Sequence, residues 1–491
     1  MTNQDYTRTI TDIKGPKGIP LFGNLFQIER EQIHLYYEKW AKEFGDFFFV
    51  NFLGKKILIS SNPQNNANIL KNRPTKFRRL SKMAEIIEEV GFYGVFTAES
   101  EEWIKHRKVT QQALSNKNVK SFFPQIVKVA ERLDNFWESN LIDEVTKYQI
   151  SNDFTRATVD VTTNLAFGYD MNTVENHENE IQDHIAKIFP KVNERVNSPL
   201  PIWRYIKSSS DKGLDQSMDA LKITIGEFIK KAENNLEKDP SLKENPSNFI
   251  EALIASQDKE NPFTWDEIFG NIYTMLLAGE DTTANSLSWL TYFIASDNEL
   301  QNKVYNEIKE VLGEKEQITT FEEVARFKYL SAVLKEVLRL KPVSPSLYFQ
   351  ANEDVVVGDL LIPKDTFVLT QLRVGALSDD NFENAAEFIP ERWLSAKETT
   401  GGCPFTGKHK AEVAMPFGGG PRFCPGKFLS ETEMILFAVT LFKKFELTLS
   451  VPKEDIKEKF AFTMSPENLA VNLKKRKQVS ISNLTKEKVS I

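Results

Sequence analysis

The chain has 491 residues, of which 41% are hydrophobic and 27% charged, with a formal net charge of -7 at pH 7. Such a length exceeds that of most single domains and allows a large core, while the acidic balance excludes nucleic acid as the main partner. The five histidines (His34, His106, His177, His184 and His409) form no zinc-like cluster with the two cysteines, Cys403 and Cys424.

Met1 to Lys17 is polar and charged and lacks the apolar core of a signal peptide. No N-terminal apolar run reaches the roughly 18 residues that a transmembrane helix needs, so no membrane anchor and a cytoplasmic location are expected. Gly15 to Pro20 is rich in proline and glycine and opens the folded part. Helical spacing follows in Leu35, Trp40 and Phe44. Asp46 to Phe52 and Lys56 to Ser60 read as two strands joined at Gly54. Asn62-Pro63 starts a helix, with asparagine as the cap and proline in the first turn.

Met83 to Ser100 mixes apolar residues with Gly91 and Gly94, and its aromatic residues Phe92, Tyr93 and Phe96 are compatible with ordinary core. In Trp103-Ile104-Lys105-His106-Arg107, Trp103 and Arg107 lie one helical turn apart on one face, a spacing that also suits a surface stack of arginine on tryptophan. Asn118 to Asn245 is mainly helical by pattern, with a loop around Asn197 to Pro201.

Thr264-Trp265-Asp266-Glu267 is a capping box, and the helix it opens runs to about Ala295, roughly 45 Å at 1.5 Å per residue. Inside it sits Ala278-Gly279-Glu280-Asp281-Thr282-Thr283. Threonine can bond back to the preceding turn and Gly279 adds slack; a polar face on a surface helix would look the same. Ser296 to Glu299 reads as a second capping box, opening a helix with Leu300, Val304 and Ile308 on one stripe. Tyr329 to Leu340 is a further helix, stopped by Pro342; it places Glu336 and Arg339 on one face. Asp354 to Val357 and Thr366 to Leu369 read as strands.

Pro416 to Leu429 is the most distinctive stretch. Glycines, a proline and an arginine lead to Cys424, and an apolar helix, Phe428 to Phe442, follows. Backbone N–H groups and the positive end of the helix dipole favour the thiolate there, although a buried structural cysteine after a glycine-rich turn is the alternative. Phe417, Gly420, Arg422, Cys424 and Gly426 fit F-x-x-G-x-R-x-C-x-G, which resembles the haem-binding loop of the cytochrome P-450 superfamily. Four further motifs occur in that family's order: Trp103 with Arg107, Ala278 to Thr283 (A-G-x-D-T-T), Glu336 with Arg339, and Phe388 to Trp393 (F-x-P-E-R-W).

The resemblance implies one mainly α domain with a smaller β lobe over residues 15–474, preceded by an extended or disordered segment, 1–14, and followed by a polar tail, 475–491. It implies haem b held between a long distal helix and the cysteine loop, with Cys424 as the axial thiolate. Trp103, Arg107, Arg422, Phe417, Gly418, Gly426 and Ala278 are the expected cofactor contacts. Asp281 and Thr282 are expected to supply protons during oxygen activation, and Arg392 to join Glu336 and Arg339 in a buried network that positions the cysteine loop. Phe92, Phe96, Leu277, Ala278, Val343 and Phe462, the last on a hairpin tip, are the expected substrate contacts. The implied activity is monooxygenation of a lipophilic small molecule by O2, in a monomer, with NAD(P)H-derived electrons from a separate ferredoxin or flavodoxin. Lys105, Arg107, Lys108 and Lys427 offer a basic patch for an acidic partner of that kind to dock on; ordinary solvated charges would look the same. A peroxide-driven peroxygenase and a non-catalytic haem-thiolate sensor or carrier are the alternatives. The chain departs from the family twice: Ser344 to Asn352 lacks the arginine that many members have, and Ser378-Asp379-Asp380 stands near the place of a His-Arg-Asp.

Overall fold

The computed structural model describes residues 6–91, 93–140, 145–176, 183–184, 187–198, 200–257, 260–395 and 405–476. Phe92, His177, Cys403 and the chain from 477 onward lie outside the described residues. The helix Trp265–Ala295 runs through the main hydrophobic core, and Ile268, Ile272, Leu276, Leu287, Leu290 and Ile294 bury its different faces. An element apolar nearly all round is stable only inside a large core. Its start is the expected capping box: the Thr264 hydroxyl accepts from the Glu267 N–H, and the Glu267 carboxylate accepts from the Thr264 N–H at 2.7 Å.

Gly279 serves a purpose the sequence reading missed. A Cβ there would stand 2.5 Å from Oγ1 of Thr162 on the helix Ile150–Phe167. Its missing side chain permits close approach of two helices rather than loosening one of them, and the helix stays continuous. In the adjoining turn, the Thr158 hydroxyl donates to the Glu280 carbonyl at 3.0 Å.

The next helix is Asn298–Leu312, and its cap is Asp297, whose carboxylate accepts from the N–H groups of Glu299 and Leu300. Ser296 instead closes the preceding helix, with its hydroxyl donating to the Tyr292 carbonyl. A carboxylate is the better anion for the positive end of a helix.

The β lobe holds a five-stranded sheet in the order Phe47–Phe52, Lys55–Ser60, Phe367–Gln371, Ser346–Ala351, Phe77–Arg79. Within this sheet the Lys55–Ser60 and Phe367–Gln371 pair is parallel and the others are antiparallel. The Asn62 side chain caps the helix Pro63–Lys71 as expected. A strand the helical pattern had hidden, Val145–Tyr148, pairs with Val471–Lys475, so Lys475 belongs to a sheet and not to a tail. Lys457–Phe460 and Met464–Glu467 form the last hairpin, with Phe462 at its tip. Among the described residues no helix is long and apolar enough to cross a membrane.

Two buried charge clusters join segments distant in sequence. The Glu336 carboxylate accepts from Arg339 Nε at 2.8 Å and Nη2 at 2.7 Å, Arg392 Nε at 3.1 Å, Trp393 Nε1 at 2.8 Å and the Ile389 N–H at 2.9 Å. Arg339 also donates to the carbonyls of Ala376, Ala385 and Glu387. This is the expected Glu336, Arg339 and Arg392 network, with every charge satisfied. The second cluster is new. Arg373 joins Glu38 and Glu458, and Glu458 also binds His34 at 2.6 Å and Lys341.

Candidate active site

A cavity of ≈ 1270 Å³ lies between the helix Trp265–Ala295 and the cysteine loop. Of the expected cofactor contacts, Cys424, Trp103, Arg107, Arg422, Phe417, Gly418, Gly426 and Ala278 all line it. The loop is shaped by its hydrogen bonds and glycines: the Cys424 N–H donates to the Phe417 carbonyl at 3.0 Å, and Gly418 and Gly420 have φ of 72° and 65°. Side chains are disfavoured at those angles. A Cβ at Gly420 would strike the Leu70 carbonyl at 2.2 Å, whereas one at Gly418 would meet nothing within 4 Å. The helix after the cysteine is Lys427–Lys444.

The thiol itself departs from expectation. Burial pushes Cys424 up from its ordinary value, opposed by the N–H groups of Gly426 and Lys427 and by the Arg107 charge. The helix terminus alone does not produce a thiolate; a bound metal ion would deprotonate it outright.

Among the five arginines that line the cavity are Arg73, Arg79, Arg107 and Arg422. Arg422 lies 4.9 Å over the Trp103 ring, pairs with Glu99 at 2.9 Å and donates to the Ala98 carbonyl. Arg422, and not Arg107, is thus the cation stacked on Trp103. Among the described residues, Arg107 Nε and Arg422 Nε and Nη1 have no hydrogen-bond partner although they are buried. Burial, offset in part by Glu99 but reinforced by Arg107, brings Arg422 down to about 10. Burial and repulsion from Arg422 bring Arg79 to about 9. Crowded cations with unpaired donors require an anion. A flat group carrying two carboxylates and a metal fits this donor set: a sulfur on one side, cations at the edge, and glycines where a plane must lie close.

On the facing helix, Thr274, Met275, Ala278, Gly279, Thr282 and Thr283 line the cavity. The Thr282 hydroxyl donates to the Ala278 carbonyl at 2.8 Å. Leu277 does not line the cavity; it is 3% exposed and sits in the core. Helical periodicity turns it away from its neighbour Ala278. Asp281 likewise lies off the lining, and burial raises its carboxyl. Beside it, burial and the Asp281 charge push Glu280 up to about 8. Of the expected substrate contacts, Phe96, Val343 and Phe462 line the cavity, and the rings of Phe96 and Phe462 lie 6.2 Å apart. Phe92 lies outside the described residues.

The expected basic patch is reduced. Lys105 binds Glu267 at 3.0 Å, and Arg107 lines the cavity, so neither is free to meet a partner; Lys108 is exposed and Lys427 half-buried. Ser378, Asp379 and Asp380 do not line the cavity. The sequence reading missed Arg73, Arg79 and Glu433, a buried carboxyl on the helix after the cysteine that also lines the cavity. Arg73 and Arg79 sit in an ordinary basic stretch with no diagnostic spacing.

The sequence model of the family described as Cytochrome P450 matches residues 13–473. The chain belongs to that family. It is 25% identical over 472 residues to a self-sufficient cytochrome P450 monooxygenase of Phanerodontia chrysosporium, covering 94% of this chain and 42% of that protein. A cytochrome P450 of Vicia sativa is 26% identical, with 88% of this chain and 84% of that one covered. A bifunctional cytochrome P450/NADPH–P450 reductase of Aspergillus oryzae is 26% identical over 93% of this chain, which spans 41% of its length. The fold matches the crystal structure of the cytochrome P450DA heme domain with a TM-score of 0.81, at 21% identity, over 96% of this chain and 99% of that one.

Proposed function

We propose that the cavity holds haem b with Cys424 as its axial ligand, and that the protein is a monooxygenase placing one atom of O2 into a lipophilic small molecule. The observation that carries this reading is the convergence of Cys424, Trp103 and unpaired arginines on one apolar cavity. When bound, thiolate-ligated haem iron supplies the push toward O–O cleavage.

The chain's own residues do the rest. Trp103, Arg107 and Arg422 would hold the carboxylates of that group, and Phe417, Gly418 and Gly426 would border it on the cysteine side. Phe96, Val343 and Phe462 exclude water and orient an apolar substrate. Thr282 Oγ1, now bonded to the Ala278 carbonyl, is positioned to pass a proton into the cavity. Asp281, whose carboxyl burial shifts upward, replenishes it from outside the lining. Electrons derived from NAD(P)H arrive from a reductase, an activity that the name of the bifunctional Aspergillus oryzae relative joins to its cytochrome P450. Lys108 and Lys427 are the cations left for a separate ferredoxin or flavodoxin.

The test is the reduced carbon-monoxide spectrum. Wild type is expected to give the red-shifted band of a thiolate ligand and Cys424→Ser to lose it. A Cys424→Ser protein that kept the band would end this reading.

A further inference from the structure

The Ser346–Ala351 strand lacks an arginine and carries Phe349. Arg73 arrives at the same place from a different part of the chain: its guanidinium lies 4.6 Å over the Phe349 ring and it lines the cavity. It is 6% exposed, and its Nε has no hydrogen-bond partner among the described residues. The Glu99 carboxylate stands 3.7 Å from its Nη2, but Glu99 already pairs at 2.9 Å with Arg422. Arg79 is committed elsewhere, stacked 3.6 Å over Phe96 with its Nε donating to the Phe96 carbonyl at 2.9 Å. A buried guanidinium seated on an aromatic face, short of acceptors and bordering a cavity, is built to receive an anion.

We propose that Arg73 binds a carboxylate of the prosthetic group, in the role of the arginine that Ser344 to Asn352 lacks. Phe349 is then the platform that fixes the guanidinium plane. This rests on the reading that the cavity takes a porphyrin, and the experiment separates the two.

Wild type, Arg73→Gln, Arg73→Lys and the double variant Arg73→Gln with Phe349→Arg are loaded with haem, and haem transfer to excess apomyoglobin is timed. Each is also loaded with iron protoporphyrin dimethyl ester, which has no free carboxylates. Arg73→Gln is expected to release haem about tenfold faster, the equivalent of one charged hydrogen bond. Arg73→Lys should fall between, and Phe349→Arg should slow release again by returning a guanidinium to the same spot. With the ester, wild type and Arg73→Gln should release at equal rates. Equal rates with native haem would overturn the proposal, as would an Arg73 effect of the same size with the ester, which marks a purely structural role. Should Arg73→Gln fail to fold, Arg73→Lys is read in the same two-haem comparison. A wild type that takes up no haem defeats the underlying reading first.

Discussion

The guanidinium of Arg422 lies over the indole of Trp103, 4.9 Å from its centroid. This contact joins the cysteine loop to the helix Ser100–Ala113 and aligns two donors on the same cavity. A desolvated cation–π contact contributes about 1–2 kcal/mol. A double-mutant cycle of Trp103→Leu and Arg422→Met, followed by urea unfolding of the apoprotein, should give a coupling of about 1 kcal/mol. A coupling near zero would mean that the two groups are merely adjacent.

Thr282→Ala is expected to keep the haem spectrum and to divert reducing equivalents to hydrogen peroxide. Among the described residues the Thr282 hydroxyl bonds within its own helix, so its loss leaves the fold intact. Peroxide yield against product per NAD(P)H consumed measures this; unchanged coupling would remove Thr282 from proton delivery.

Gly279→Ala forces a Cβ to within 2.5 Å of Thr162 Oγ1. Overpacking of this kind costs about 1–3 kcal/mol. Adding Thr162→Ala should recover most of the loss in thermal unfolding. An unperturbed single variant would show that the two helices can part freely.

Glu280 gives a pH test with a definite sign. Its folded value is raised to about 8 from an ordinary 4.5, so the folded state disfavours its charge. The penalty is absent below about pH 4.5, where folded and unfolded chains are both protonated; it grows as pH rises and levels off above about 8. Glu280→Gln should therefore stabilise the protein at about pH 8 by a few kcal/mol and leave it nearly unchanged at about pH 4. Equal effects at both pH values would show that the carboxyl is already solvated.

What could be read from the sequence was local. The Thr264 capping box, the hairpin around Gly54, the Asn62 cap and the cysteine loop are set by neighbours a few residues apart, and the structure reproduces them. Leu277 was misplaced because apolar character does not reveal which helical face meets a cavity. Lys105 was misplaced because its partner, Glu267, is supplied by a remote helix start. Arg73 and Arg373 were invisible for the same reason: their meaning comes from Phe349 and from Glu38 and Glu458, and no spacing encodes those meetings.

The tip that carries Phe462 follows directly on Glu458, which Arg373, His34 and Lys341 hold in place. That side of the cavity is braced by ion pairs. Phe96 opposes it from turns between 93 and 99 that contain no regular helix or strand. Retailoring the protein for a bulkier guest must therefore begin from one wall. Exchanges at Phe96 adjust the available room, whereas exchanges beneath Phe462 would unseat the hairpin before they changed what it admits.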